Sequence, residues 1–214
     1  MNDKQRPVLA HGTQGIEDGG HRAYVGGKWE EIGNLQFEFL KAQGLRPEHV
    51  FLDVGCGSLR GGVHFIPYLN AENYLGIEKE ETLIQAGLVQ ELGEEMALAK
   101  RPEFVISGAF AFHHFSKRAN FALAQSLFTH LTLDGLQLCL KNLRPQMQND
   151  GRFFATFFET ETTFDNPEAS HDHLNFKYTQ AQLDSLAETT GWKTNYIGDW
   201  GHPRGQRMME FIAA

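Results

Sequence analysis

Apolar positions change their period along the chain, and each change marks an element. In residues 29–40, Trp29, Ile32, Leu35, Gln36, Phe39 and Leu40 recur at three- and four-residue spacing, the pattern of a helix with one buried face. Gly44 stops that helix, with Pro47 just beyond. From residue 50 onward, short apolar runs interleave with amphipathic ones. Residues 50–54, 73–77, 104–106, 121–125 and 152–158 read as five strands, and residues 60–69, 80–99 and 133–147 as helices. The third of these helices is stopped by Asn149, Asp150 and Gly151. A further helix over 179–190 opens on Thr179 as N-cap and closes at Gly191. Two last strands, 192–197 and 207–212, flank the turn-rich stretch 199–205.

Alternation of strand and helix predicts an α/β fold: a mostly parallel sheet with right-handed crossovers and helices on both faces. No helix separates the last two strands, so they are expected to pair antiparallel. Residues 1–27 carry Gly12, Gly15, Gly19, Gly20, Gly26 and Gly27 and read as an irregular N-terminal arm. Residues 28–214 then form the domain proper.

Composition narrows the class. A chain of 214 residues that is 41% hydrophobic suits one domain of generous size, and its 17 Phe suffice for a core plus an aromatic-lined pocket. The formal charge of −8 disfavours nucleic acid, whose partners are usually basic. Cys56 and Cys139 lie far apart and form no CxxC pair. The start is polar, without the apolar centre of a signal peptide, and no apolar run approaches the ~20 residues of a membrane span. The cytoplasm is the expected compartment.

Candidate chemistry concentrates where the first strand turns into the next helix. Gly55 and Gly57 allow a tight turn and a close backbone approach by a ligand, whose anionic groups the free N–H groups there would meet. Asp53 sits two residues before Gly55, at a strand end expected to face a crevice. Glu78 ends the second strand, where a carboxylate accepts ribose hydroxyls. A dinucleotide fingerprint needs a third glycine at position 60, which is Arg60. A phosphate-binding loop ending Gly-Lys-Ser/Thr is also absent. The implied ligand has a ribose and no firm requirement for a pyrophosphate cradle.

The stretch LDVGCGSLRGG (residues 52–62) resembles the first motif of the class I S-adenosylmethionine-dependent methyltransferases, and YLGIEK (residues 74–79) resembles their second. The resemblance implies a Rossmann-like, seven-stranded sheet with an antiparallel last strand, and S-adenosylmethionine as cofactor. It further implies that Asp53, Gly55, Cys56 and Gly57 hold the methionine end and that Glu78 takes the ribose. Ser107 to Phe110 would flank the adenine, and Gln125 and Ser126 would lie near the sulfonium. The sequence departs from the family's pattern after the third strand, where Ser107 and Gly108 stand without the usual acid.

Methyl transfer to an already activated carbon needs alignment above all, and a base only when the nucleophile is protonated. His130, just beyond the fourth strand, is the candidate base. His171, Asp172 and His173 have alternating histidines that could chelate zinc, but no further Cys or His follows at ligand spacing, so a solvated loop and no metal site is expected. Residues 159–177 are long for a connection and are a candidate substrate lid; residues 21–29 with Tyr24 and Trp29 are the other candidate, with Trp29 packing the first helix on the sheet as the slightly favoured reading. Neither an Asn/Asp-Pro-Pro-Tyr/Phe motif nor a Pro-Cys nucleophile is present. These observations favour methyl transfer to oxygen or nitrogen of a small molecule. A non-catalytic cofactor-binding sensor or partner subunit is the alternative, and a nicotinamide oxidoreductase a third reading disfavoured by Arg60. Oligomeric state is left open.

Overall fold

In the computed structural model, which describes residues 10–213, the strands assemble in an order that no local pattern contains. The strands are β1 (Phe51–Val54), β2 (Tyr74–Glu78), β3 (Glu103–Ile106), β4 (Ala119–Ala124), β5 (Met147–Glu159), β6 (Lys177–Tyr178), β7 (Trp192–Asp199) and β8 (Arg207–Ala213). Seven of them run in the order β3-β2-β1-β4-β5-β8-β7, and the two-residue β6 pairs with β5 off this path. β8 is antiparallel to both β5 and β7, while the pairings β3-β2, β2-β1, β1-β4 and β4-β5 are parallel. The predicted α/β class and the antiparallel last strand are both present.

The helices are α1 (Gly12–Gly19), α2 (His21–Tyr24), α3 (Trp29–Ala42), α4 (Gly62–Tyr68), α5 (Glu81–Ala86), α6 (Glu94–Lys100), α7 (Leu133–Leu143) and α8 (Gln180–Thr190). Two apolar cores lie on opposite faces of the sheet. β1 shows the division: Leu52 and Val54 belong to one core with Leu136, Leu140 and Leu183, and Phe51 belongs to the other with Leu40, Phe65 and Phe154. Because β1 is covered on both faces, all four of its residues are buried, which explains why Phe51, Leu52 and Val54 do not alternate with exposed polar residues.

Three differences from the sequence reading have local causes. Residues 12–24, read as irregular, form α1 and α2, and residues 1–9 of that arm lie outside the described residues. Tertiary contact overrides the glycines here: Ile16 is buried, and Trp29 takes the His21 ring edge-on and the Arg22 guanidinium over its face. The helix predicted over 80–99 is interrupted by a wider turn at Gly87–Leu92 and by Gly93 in the left-handed region (φ 84°). The helix before β5 ends at Leu143, where Pro145 in a short 3-10 turn cannot continue it. β5 accordingly starts at Met147 and runs through Asn149 and Gly151, with Asp150 at φ 61° taking up the irregularity against β4.

Helix caps fall where the sequence puts them. Thr179 accepts a hydrogen bond from the Gln182 N–H while the Gln182 side chain accepts one from the Thr179 N–H, and Gly191 closes α8 at φ 82°. Thr179→Ala removes one side of this reciprocal cap and is expected to cost about 1 kcal/mol. Urea unfolding monitored by circular dichroism should show a lower midpoint with an unchanged slope.

Candidate functional site

The order reversal places β2 on one side of β1 and β4 on the other, so connections leave the carboxyl ends of β1 and β4 in opposite directions. Such a switch point is where open α/β sheets bind ligands. A cleft of about 240 Å³ opens beside it, lined by Gly55, Glu78, Lys79, Ser107, Phe110, Leu127, His130, Leu131 and Asp172, among others. The volume is below the roughly 300–1,000 Å³ of common ligand pockets. Two covering segments account for the deficit. Ser170, His171 and Asp172 form part of the wall, and the Val25 side chain leans on Gly57, where an added Cβ would meet Val25 Cγ1 at 2.9 Å.

Glu78 is held at the centre of this arrangement. Its Oε2 accepts the Gly57 N–H at 3.0 Å, and its Oε1 accepts the N–H groups of Lys79 at 2.8 Å and Glu80 at 3.1 Å. Burial raises its pKa, and these three N–H bonds pull the other way. A carboxylate has about four lone-pair directions, so acceptor capacity remains toward the cleft. Gly55 and Gly57, at φ 74° and 53°, let the turn bend so that its backbone reaches Glu78.

The sequence-predicted residues separate into two groups. Gly55, Glu78, Ser107, Phe110 and His130 all line the cleft. Asp53, Cys56, Gly57 and Gln125 do not line it. Asp53, expected from its strand-end position to face the crevice, instead shares the Phe51 face of β1. It is 4% exposed there and accepts a hydrogen bond from Tyr74 Oη at 2.8 Å. Burial raises its pKa to about 7 despite that bond and the nearby Arg60. Cys56 turns its thiol into the core against Gly76, and burial pushes its pKa up, so its side chain carries no reactive thiolate.

Gln125 lies under a polar layer at the end of β4. Its Nε2 donates to Ser126 Oγ at 2.7 Å and approaches His202 Nε2 at 3.1 Å, and its Oε1 accepts from Arg60. Burial, with Arg204 and Arg60 nearby, lowers His202 to a pKa of about 4, so its ring is neutral at pH 7. Ser107 Oγ accepts the N–H groups of Ala109 and Ala111, shaping the loop that follows β3. His130 Nδ1 lies 2.9 Å from the Leu174 carbonyl, so that nitrogen carries the proton, and burial lowers the pKa of the ring.

The two candidate lid segments, 21–29 and 159–177, meet through Tyr24 and Asp172, a pairing the sequence did not indicate. Asp172 accepts from Tyr24 Oη at 2.9 Å, from Lys79 Nζ and from His11 Nδ1 at 3.2 Å, so β2, the arm and the 160–176 segment meet at one carboxylate. Burial raises Asp172, but the Lys79 and Tyr24 bonds outweigh it and hold the pKa at about 2. The described residues contain no group of three or more His, Cys, Asp and Glu arranged to hold a metal ion. Strain marks the same region: Leu59, Phe110 and Ser126, none of them glycine, adopt φ of 66°, 54° and 61° at the ends of β1, β3 and β4.

No family model matches the chain. Solved structures with the same fold are numerous. Magnesium protoporphyrin IX methyltransferase from Synechocystis PCC 6803, solved with bound S-adenosylmethionine, is 14% identical over 90% of this chain and 89% of its own, with a TM-score of 0.64. An amino pentose methyltransferase from Micromonospora echinaspora, also with S-adenosylmethionine bound, gives 12% identity over 98% and 100% and a TM-score of 0.66. The 1,6-didemethyltoxoflavin-N1-methyltransferase of Burkholderia thailandensis, with S-adenosylhomocysteine bound, gives 17% over 93% and 84% and a TM-score of 0.64. The chain has the class I methyltransferase fold. Among the described residues, no helix is long and apolar enough to cross a membrane.

Asp53 gives the site a pH signature. Its folded pKa of about 7 lies above the unfolded value of about 3.9. The native state therefore holds a proton that the unfolded chain has lost. This contribution is full below pH ~4 and disappears as the pH rises through ~7. Asp53→Asn keeps an acceptor for Tyr74 and removes the titration. Relative to the unsubstituted protein, it should gain on the order of 2 kcal/mol between pH 5 and pH 8. Urea denaturation at the two pH values measures this gap; an unchanged gap would show that Asp53 ionises normally.

Proposed function

We propose that the protein is an S-adenosylmethionine-dependent methyltransferase that methylates an oxygen or nitrogen of a small molecule. The observation that carries the reading is Glu78, fixed by three backbone N–H bonds and lining a cleft at the switch point of this fold. The residues present fit the cofactor. Glu78 keeps acceptor capacity for a ribose hydroxyl, Ser107 and Phe110 border the cleft where an adenine would lie, and Gly55 borders it at the turn, beside the Gly57 that Val25 covers.

When bound, the cofactor supplies a carbon already activated by positive sulfur. The chain's part is then to align the acceptor and exclude water. The Tyr24–Asp172–Lys79 latch and the Val25 contact close the cleft from above. His130 borders the cleft with its pKa lowered by burial, and we assign it the proton taken from a hydroxyl or ammonium acceptor. The acid left out after β3 leaves the adenine to Ser107 and backbone groups. The neighbours named for an amino pentose and a toxoflavin precursor support a small-molecule acceptor, as does the charge of −8. The cytoplasm remains the proposed compartment, and residues 28–214 the proposed catalytic unit.

Titration calorimetry with S-adenosylhomocysteine should show one site per chain, weakened roughly tenfold to hundredfold by Glu78→Gln through loss of a charged acceptor. Absence of binding by the folded protein would overturn the assignment. Transfer of a radiolabelled methyl group to a metabolite extract separates an enzyme from a sensor that binds the cofactor without turnover.

A further inference from the structure

Arg60 is 7% exposed, and no carboxylate among the described residues lies within salt-bridge distance of it. Its partners are all neutral. Nη1 donates to the Val25 and Gly27 carbonyls, both at 3.0 Å, Nη2 donates to Gln125 Oε1, and buried Nε has no partner. An unneutralised charge in a protein interior is costly, because carbonyls satisfy its geometry without cancelling its field. Burial lowers the Arg60 pKa to about 10, and the neighbouring Arg204 adds to the effect while Asp53 opposes it. Arg204 Nη2 donates to the Gly26 carbonyl at 2.5 Å, so two cations grip one three-residue strap.

The strap joins α2 to α3, and Gly26, Gly27 and Lys28 all stand at positive φ (94°, 64° and 48°). Its Val25 covers Gly57 of the turn, and its carbonyls occupy the Arg60 donors next to Gln125 at the end of β4. A planar carboxylate matches the guanidinium fork, which backbone carbonyls fill only singly.

We propose that Arg60 binds the carboxylate of a ligand, and that the Val25 and Gly27 carbonyls hold its place until that ligand arrives. Two sources have this chemistry: the amino-acid end of the cofactor and an acidic methyl acceptor. The choice of probes rests on the methyltransferase reading, and the experiment separates the two claims. Calorimetry compares S-adenosylhomocysteine with 5′-methylthioadenosine, which lacks the amino-acid carboxylate, on the unsubstituted protein, Arg60→Gln and Arg60→Lys. Benzoate is then titrated into each protein, free and saturated with S-adenosylhomocysteine.

If the carboxylate is the cofactor's, Arg60→Gln should cut the preference for S-adenosylhomocysteine over 5′-methylthioadenosine by about tenfold or more, leaving 5′-methylthioadenosine binding unchanged. Arg60→Lys, which keeps the charge without the fork, should lose less; it carries the test if Arg60→Gln does not fold. If the carboxylate is an acceptor's, the preference stays and benzoate binding is lost with Arg60. Equal weakening of both adenosine compounds, or no change in any titration, would leave Arg60 a clamp for the strap and overturn the proposal. Failure of the unsubstituted protein to bind either adenosine compound sinks the cofactor reading. Benzoate binding to the free protein then decides Arg60 alone, and its absence refutes the carboxylate site too.

Discussion

β1 lies between β2 and β4, and this single reversal of strand order governs how the cleft is built. Crossovers of one hand leave β1 toward β2 on one side and enter β4 from the other, so no connection passes over the carboxyl ends of these two strands. The gap has to be filled by something other than the sheet's own loops. Segments remote in sequence do it: the arm before α3, the loop between β5 and β6, and the turn joining β7 to β8. Arg60 touching Val25 and Gln125, Tyr24 touching Asp172 and Gln125 touching His202 are all consequences of that gap. Each contact spans tens of residues of sequence, and Asp172 is the one of these residues that lines the cleft.

Burial at the gap sorts charge in a way an exposed site would not. Asp53 sits near half-protonation at neutral pH, His202 is neutral, and Arg60 stays a cation even with its pKa lowered to about 10. Desolvation favours the neutral form of every one of these groups, and only the guanidinium is basic enough to resist. The interior beneath the strap is therefore net positive although the chain as a whole is acidic. Toward the cleft the balance reverses, since Glu78 and Asp172 are the carboxylates that line it. Lys79 lines the cleft too, paired with Asp172, which leaves Glu78 as the carboxylate there without a cationic partner.

Much of this is legible in the sequence, for definable reasons. β1 and β2 are buried on both faces, so their apolar residues do not alternate with exposed polar ones, and the glycine turn and Glu78 sit at the strand ends where period and turn chemistry agree. Thr179 and Gly191 bound α8 because capping is a local interaction. The arm is illegible because its helices draw on contacts from elsewhere: Trp29 receives His21 and Arg22, and Glu91 accepts from Arg22. Asp53 is misplaced by sequence reasoning because a strand end does not reveal which face its side chain takes; the alternation through Phe51 and Leu52 decides it. Arg60 reads in sequence only as a missing glycine, since nothing near it announces a partner 35 residues upstream.

The distribution of neutral and charged groups bears on the chemistry as well. A sulfonium is a fixed positive charge, and an imidazolium beside it would oppose its binding. His130 and His202 are both held below the ordinary histidine range by burial, so neither adds such a charge at neutral pH. Of the nearby cations, Lys79 at the cleft is paired with Asp172, while Arg60 and Arg204 hold the strap carbonyls and are not part of the cleft lining. For the proposed methyl transfer, whose carbon arrives already activated, rate would depend on holding two reactants in line, and rigidity is the useful property. The left-handed Ser126, tied to Thr156 and Gln206 at the end of β4, provides it where strain would otherwise relax. A fold that places its most constrained backbone at the switch point, with neutral rings around it, is suited to positioning a reactive cation; it is poorly suited to generating a strong base.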